Sequence, residues 1–326
     1  MKIGVWKPQR DETSVRIYTD NVVEHLKAFG HEVVFWGKDD EVPPVDIIWD
    51  ASCTGAQYPN RKILQTSIPW IVTVHGAANL SLPLKYNFLR FSDKLKGWYI
   101  NARRKFMWSI YRQKVAHIIT VSKYAKEELV EYLHLEPGQI SVIYHGYDDN
   151  LFYRQSGEKS YLLHVSVYQP KKNVDRIVEA YSQMKEVDKL PLVLVCPNYP
   201  GIMTDPKITL IHTPVSRKQV AKYMKEAYAF IFPSFHESFG MPLLEAMACG
   251  VPIITSNSTA CPEITGNAGL FVDPLSTTEL KNAMQKLMDD AVLHKQLSEN
   301  ALERAKGFSW EKTARLHEAL FLRFIV

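Results

Sequence analysis

The stretch YAFIFPSFHESFGMPLLEAMACGVPIITS, residues 228–256, carries the densest information in the chain. It reads as a buried strand, a polar turn, a helix opening at Pro242, a stop at Gly250 and a second buried strand. Glu237 lies in the turn at the carboxyl end of the first strand, where open α/β sheets bind their ligands. Glu245 lies about one helical turn past Pro242, on the side facing the same crevice. The backbone N–H groups of Phe239, Gly240 and Met241 point from the helix N-terminus into that crevice, and a glycine at 240 lets an anion approach closely. A diphosphate fits such a place.

The same rhythm extends in both directions. Short apolar runs alternate with longer amphipathic stretches, the pattern of βα units around buried parallel sheets. Strands are expected at 2–6, 32–37, 46–49, 69–75, 116–121 and 140–144, then at 161–167, 191–196, 207–213, 228–233, 251–256 and 269–272. One open sheet of all these strands would be unusual, whereas two sheets of about six strands make two Rossmann-like domains. The class is α/β, with the boundary expected near Tyr153 to Lys159. Ser122, Asn173 and Ser309 read as helix N-caps, Ser276 with Glu279 as a capping box, and Gly30 as the stop of a helix over 21–29.

Composition narrows the classes. At 46% hydrophobic and 23% charged the 326 residues can bury a core, which excludes a disordered or low-complexity chain. Lys and Arg total 39 against 35 Asp and Glu, a net charge of +4 that argues for no nucleic-acid partner. No apolar run reaches the roughly 18 residues of a membrane span, and the first residues turn polar too soon for a secretory leader, so a cytoplasmic location is expected. The four cysteines show no ligand spacing, so reduced thiols and no metal site are expected.

Residue by residue, 228–256 resembles the E-x7-E signature of the family 4 glycosyltransferases, retaining enzymes of the GT-B fold that use nucleotide-sugar donors. CPEITGNAGLFVDP from Cys261, LLHVSVYQPKKNVDRIVEAY from Leu162, ISVIYHGYDDNLF from Ile140, ITVSKYAKEEL from Ile119 and FSW from Phe308 extend the resemblance over most of the chain. It implies two Rossmann-like domains facing an interdomain cleft: an acceptor-side domain over 1–153, a donor domain over 154–308, and a helix over 309–326 that packs back on the first. It also implies that Glu245 binds the ribose hydroxyls, Glu237 contacts hydroxyls of the donor sugar, Lys172 clamps the diphosphate and His75 orients the donor sugar. Lys171, Ser238, Phe239, Gly240 and Met241 complete the implied donor site. Hexosyl transfer follows, of mannose or glucose from a GDP- or UDP-linked donor to a glycan or lipid-linked saccharide, with no cofactor and no metal. The family's front-face mechanism needs no enzyme nucleophile, unlike a retaining glycosidase with its carboxylate pair about 5 Å apart.

Two departures stand out. Ser166 and Val167 replace the Gly-Arg of many members, whose arginine reaches the diphosphate; Pro170, Lys171, Lys172 and Asn173 resemble a subset that lacks it, and Lys171 is the candidate to compensate. The glycine pair after the first strand is replaced by a loop over 7–16 containing Thr13 and Ser14. The competing reading is an idle homologue that binds a nucleotide sugar without transfer. A dehydrogenase is disfavoured because GxGxxG is missing from KIGVWKPQRDE. Residues 85–114 set Lys94, Lys96, Arg103, Arg104, Lys105, Arg112 and Lys114 among Phe88, Phe91, Trp98, Tyr99, Phe106, Trp108 and Tyr111. That composition serves either a peripheral contact with the inner face of a membrane, or helices whose aromatics are core and whose cations are solvated.

Overall fold

The computed structural model describes residues 1–7, 13–54, 56–83, 86, 91–185 and 189–325, of which 13 and 91–95 by backbone only. Contacts divide the chain into two units, Met1–Gly146 with Ser309–Val326, and Tyr147–Phe308. Residues 147–153 thus fold with the second unit rather than the first. Phe152 is buried there, with the Arg217 guanidinium 4.8 Å above its ring.

The first unit contains β1 (Lys2–Trp6), β2 (Glu32–Trp36), β3 (Ile47–Cys53), β4 (Trp70–Val74), β5 (His117–Thr120) and β6 (Ile140–Val142). All pairings are parallel, in the order β2-β1-β3-β4-β5-β6. Central strands such as WIVTV are buried on both faces, which is why they read as unbroken apolar runs. The helices are α1 (Thr13–Ala28), α2 (Ala78–Ser81), α3 (Phe91–Tyr111) and α4 (Lys123–Leu133). α1 begins at Thr13, so the loop expected over 7–16 is shorter. Val15, Tyr18, Val22 and Leu26 form one buried face of that helix, and burying this stripe draws the chain into helix early.

The second unit contains β7 (Tyr161–Val165), β8 (Leu192–Val195), β9 (Ile208–Ile211), β10 (Ala227–Phe232), β11 (Ile253–Ser256) and β12 (Gly269–Val272). Their order, β12-β11-β10-β7-β8-β9, is that of the dinucleotide-binding fold. Its helices are α5 (Val174–Ser182), α6 (Arg217–Glu226), α7 (Met241–Ala248), α8 (Ala260–Thr265), α9 (Thr277–Asp289) and α10 (Ala291–Ala305). Leu162, Ile177, Leu194, Ile231, Ile254 and Met284 meet in its core.

The last helix, α11 (Trp310–Leu322), belongs to the first unit. Tyr18 Oη donates to His317 Nε2 at 2.6 Å, and Thr313 Oγ1 donates to the Tyr144 carbonyl at 2.7 Å. The chain passes so close at Gly146 that a β-carbon there would lie 2.1 Å from the Trp310 nitrogen.

Ser122, Ser276 and Ser309 cap their helices through side-chain oxygens. Two caps differ from expectation. Glu279 does not return to Ser276 but accepts from the Asp273 N–H at 2.8 Å. Asn173 sits in the left-handed region at φ 59° and makes no cap; its amide donates to the Pro233 and Pro274 carbonyls instead. The bond to Pro233 ties the turn before α5 to the loop after β10, and the Pro274 carbonyl also accepts from Arg176 Nη1 at 2.7 Å.

Candidate active site

In the second sheet the strand order reverses between β7 and β10, and the carboxyl ends of these strands form the switch-point crevice. The chain leaving β7 turns tightly at Pro170–Lys172. The Lys171 carbonyl accepts from the Phe235 N–H at 2.8 Å, which fixes this turn against the loop after β10. Both lysines act on one carboxylate. Lys172 Nζ lies 2.6 Å from Glu237 Oε1 and 5.0 Å from the Phe232 ring centroid. Burial pushes the Glu237 carboxyl up, but the positive charges of Lys172 and then Lys171 outweigh it and hold the group below its ordinary range. The Lys171 charge therefore converges on the same point as its neighbour.

Glu237 also donates its N–H to Thr259 Oγ1 at 3.3 Å, and its carbonyl accepts from the Ala260 N–H at 3.2 Å. Beyond it the chain passes through Ser238 and the buried Phe239 to Gly240 at φ 89°, which precedes α7. A β-carbon at Gly240 would lie 2.8 Å from Leu243 Cδ1, so conformation and space both require glycine there. Met241 opens α7 and Pro242 follows in its first turn, where the missing N–H costs nothing. In the first turn the Leu243 N–H donates to the Gly240 carbonyl at 2.9 Å, and this end of the helix carries the positive end of its dipole.

Glu245 is 2% exposed on α7 and pairs with Arg217, Nη1 to Oε1 at 2.6 Å. Burial pushes its carboxyl up, and the Arg217 guanidinium opposes that only in part. The two glutamates of the signature therefore titrate in opposite directions. Arg217 is a residue that sequence reasoning missed; its one signal is its place directly after Ser216, whose capping box with Gln219 starts α6.

Val167 is 61% exposed. His164 is buried and structural: its ring bonds the Ile231 carbonyl and Ser166 Oγ, each at 2.8 Å.

His75 belongs to the first unit, directly after β4. Its Nε2–H donates to the Ala51 carbonyl at 2.8 Å, which leaves Nδ1 as the acceptor nitrogen. Burial lowers its pKa to about 4, so the ring is neutral. Glu128, also missed, is buried on α4 and accepts from the Ala77 N–H at 3.2 Å and from the Ser81 hydroxyl, fixing the loop that follows His75.

Residues 40–151 match the family described as Glycosyltransferase Family 4, and residues 159–290 that described as Glycosyl transferases group 1. An uncharacterized glycosyltransferase of Methanocaldococcus jannaschii is 31% identical over 80% of this chain and 69% of its own length. The chain belongs to the family 4 glycosyltransferases.

Two mannosyltransferases are also similar. O-antigen chain mannosyltransferase B of Escherichia coli is 28% identical over 60% of this chain, a match spanning 57% of that protein. The MMP alpha-(1->4)-mannosyltransferase of Mycolicibacterium hassiacum is 25% identical over 86% of this chain and 71% of its own. Among solved structures, sucrose-phosphate synthase from Thermosynechococcus elongatus superposes with a TM-score of 0.77 at 18% identity, covering 99% of this chain and 98% of that one. Anabaena HepE in complex with UDP and glucose gives 0.72 at 15%, covering 98% and 99%. With two parallel six-stranded sheets, these likenesses establish the GT-B fold of this glycosyltransferase.

Proposed function

We propose that the chain is a retaining hexosyltransferase that passes mannose or glucose from a GDP- or UDP-linked donor to a glycan or lipid-linked saccharide, without cofactor or metal. The observation that carries this reading is the Lys172–Glu237 pair at 2.6 Å, with Lys171 beside it, at a switch point where α7 begins. On this reading the two lysines and the N–H groups of Phe239, Gly240 and Met241 hold the diphosphate and offset charge growing on the leaving group. Lys171 takes the place of the absent arginine. Ser238 adds a donor beside the phosphates, and Glu237 accepts from sugar hydroxyls through the oxygen Lys172 leaves open. Glu245, oriented by Arg217, accepts from the ribose. His75 orients the donor sugar through Nδ1.

Each glutamate has a cationic partner, which favours hydrogen bonding over nucleophilic attack. The C1–O bond to the diphosphate breaks, the acceptor oxygen bonds to C1 from the same face, and its proton passes to a phosphate oxygen. The mannosyltransferase names of several relatives support hexose transfer and favour mannose.

The basic aromatic segment supports a peripheral membrane contact. Lys85, Phe88 and the side chains of Phe91, Asp93 and Lys94 lie outside the described residues. Within α3, Trp108 and Tyr111 are core, while Trp98, Tyr99 and Phe106 are each more than 60% exposed beside Arg103 and Lys105. No described helix is long and apolar enough to cross a membrane.

The test is a thermal-shift panel of UDP, GDP, ADP and dTDP and their hexose conjugates, on the wild type and on Glu245→Ala, followed by turnover with the best donor. A shift with one nucleotide, lost in the variant, and an α-linked product are expected. Binding without turnover on any saccharide would favour the idle homologue.

A further inference from the structure

Helix α6 opens on Arg217, a cation at the end where the helix dipole disfavours positive charge. Two groups from elsewhere in the second unit hold it there. Glu245 Oε1 lies 2.6 Å from Nη1, and the guanidinium carbon lies 4.8 Å from the Phe152 ring centroid. The arginine side chain is 35% exposed, whereas Phe152 is buried and fixed. A guanidinium suits a place between a carboxylate and a ring, because it bonds in its plane and stacks on its face at once.

Phe152 owes its place to the turn that opens the unit. The Phe152 and Leu151 N–H groups donate to the Asp148 carbonyl at 2.8 and 3.1 Å, and the Asn150 N–H donates to Asp148 Oδ1 at 3.1 Å. The next residue makes a similar contact. Lys225, eight residues after Arg217 and so on the same side of α6, brings Nζ to 3.4 Å from the Tyr153 ring centroid. Two cation–ring contacts thus dock the turn on α6, and the one at Arg217 continues to a signature glutamate.

Glu245 depends on that contact. Among the described residues its Oε2 accepts no hydrogen bond, and its buried side chain has Arg217 as its one donor. The other titratable groups that act on it do not help: Asp148 of the turn raises its pKa, and the Cys249 thiol past the end of α7 is kept neutral by burial. Helix α8 presents Cys261 to Glu237 instead, and α10 meets the end of α7 through the uncharged Ser298 and Leu302 at Gly250. A buried carboxylate that loses its cation takes up a proton and no longer accepts from two hydroxyls.

We propose that Phe152 is a positioning residue of the nucleotide site: its ring keeps Arg217 on Glu245 and so sets how firmly Glu245 holds the ribose. The proposal rests on the reading of Glu245 as the ribose acceptor and adds to it a residue that touches no ligand.

Two measurements on the full chain decide. The first is a carbon-NMR titration of protein labelled at its glutamate carboxyls, with Glu245→Gln identifying the resonance. The Glu245 midpoint rises most in Arg217→Gln, less in Phe152→Leu and not at all in Tyr153→Leu, which removes the ring contact that does not lead to Glu245. The second is calorimetric titration with UDP and GDP. Arg217→Gln weakens the nucleotide that binds by about tenfold, as expected for a lost charge-assisted bond, and Phe152→Leu by about fivefold. The double variant binds no more weakly than Arg217→Gln alone, because Phe152 acts through the arginine. A merely structural role would make the two losses add and leave the midpoint where it was. Far-UV circular dichroism checks the fold of each variant, and Phe152→Met, equally without a ring, replaces Phe152→Leu if that chain does not fold. A Glu245 midpoint unmoved in the Phe152 variant, or additive losses, overturns the proposal. Nucleotide binding with an unmoved midpoint overturns this proposal alone; a moved midpoint in a chain that binds neither nucleotide keeps the link from Phe152 to Glu245 and overturns the donor reading.

Discussion

The two sheets solve one problem in two ways. Each has a switch point that opens a crevice at its carboxyl edge, β1/β3 in the first and β7/β10 in the second. The second crevice is assembled mainly from two short segments, the turn at 170–173 and the run at 233–245, which neutralise each other at Lys172–Glu237, while Arg217 on α6 pairs with Glu245 from outside both. The first draws on three distant segments, Asp50 to Cys53, Tyr58 to Arg61 and one face of α3. A local cluster announces its chemistry along the chain, whereas a dispersed one becomes visible only when the elements are packed.

The largest effect expected to test this contrast is on turnover. Lys172→Ala removes the positive charge nearest the proposed leaving group, and steady-state kinetics should show kcat reduced about 100-fold or more. The first unit should not register the change. All seven tryptophans lie in that unit, at 6, 36, 49, 70, 98, 108 and 310, so tryptophan fluorescence reports its unfolding alone. A shifted fluorescence midpoint in Lys172→Ala would break the separation of the two units.

A smaller effect sharpens it from the other side. Gly146→Ala forces a β-carbon against the backbone of Trp310, so the first unit should lose about 1–3 kcal/mol, read as a lower fluorescence Tm. Nucleotide binding to the second unit should persist.

The smallest effect is acid sensitivity. His75, His117 and His317 in the first unit titrate near 4 instead of 6.5, and His145 is also well below its ordinary value, all chiefly because burial disfavours the charged ring. The unfolded chain then binds protons that the folded unit does not, so stability is full above about pH 6.5 and falls as pH drops toward about 4. The second unit has His164 near 4 and His294 lowered. Acid titration should therefore move the tryptophan midpoint before residual helical dichroism is lost. Coincident transitions would count against the difference.

The twelve strands of the described residues were legible, the central ones because parallel strands buried on both faces must be continuous apolar runs. The signature glutamates were legible because they flank a single helix start. Arg217 and Glu128 were not: each reaches its partner across the fold, and nothing local separates them from other charged helix residues. Asn173 shows the limit in one residue. Its type and position read as a cap, and only the neighbouring Pro233 and Pro274 carbonyls redirected its amide.

The sequence by itself determined the α/β class, the two sheets, the family and the local cluster around Glu237 and Glu245, since all of these rest on periodicity or on contiguous motifs. Tertiary structure decided the division after Gly146, the partners of the glutamates and the arginine-lined cavity beside β3. The physical reason is reach: periodicity fixes which face of an element is buried, while a charge's partner depends on which elements packing brings within a few ångströms.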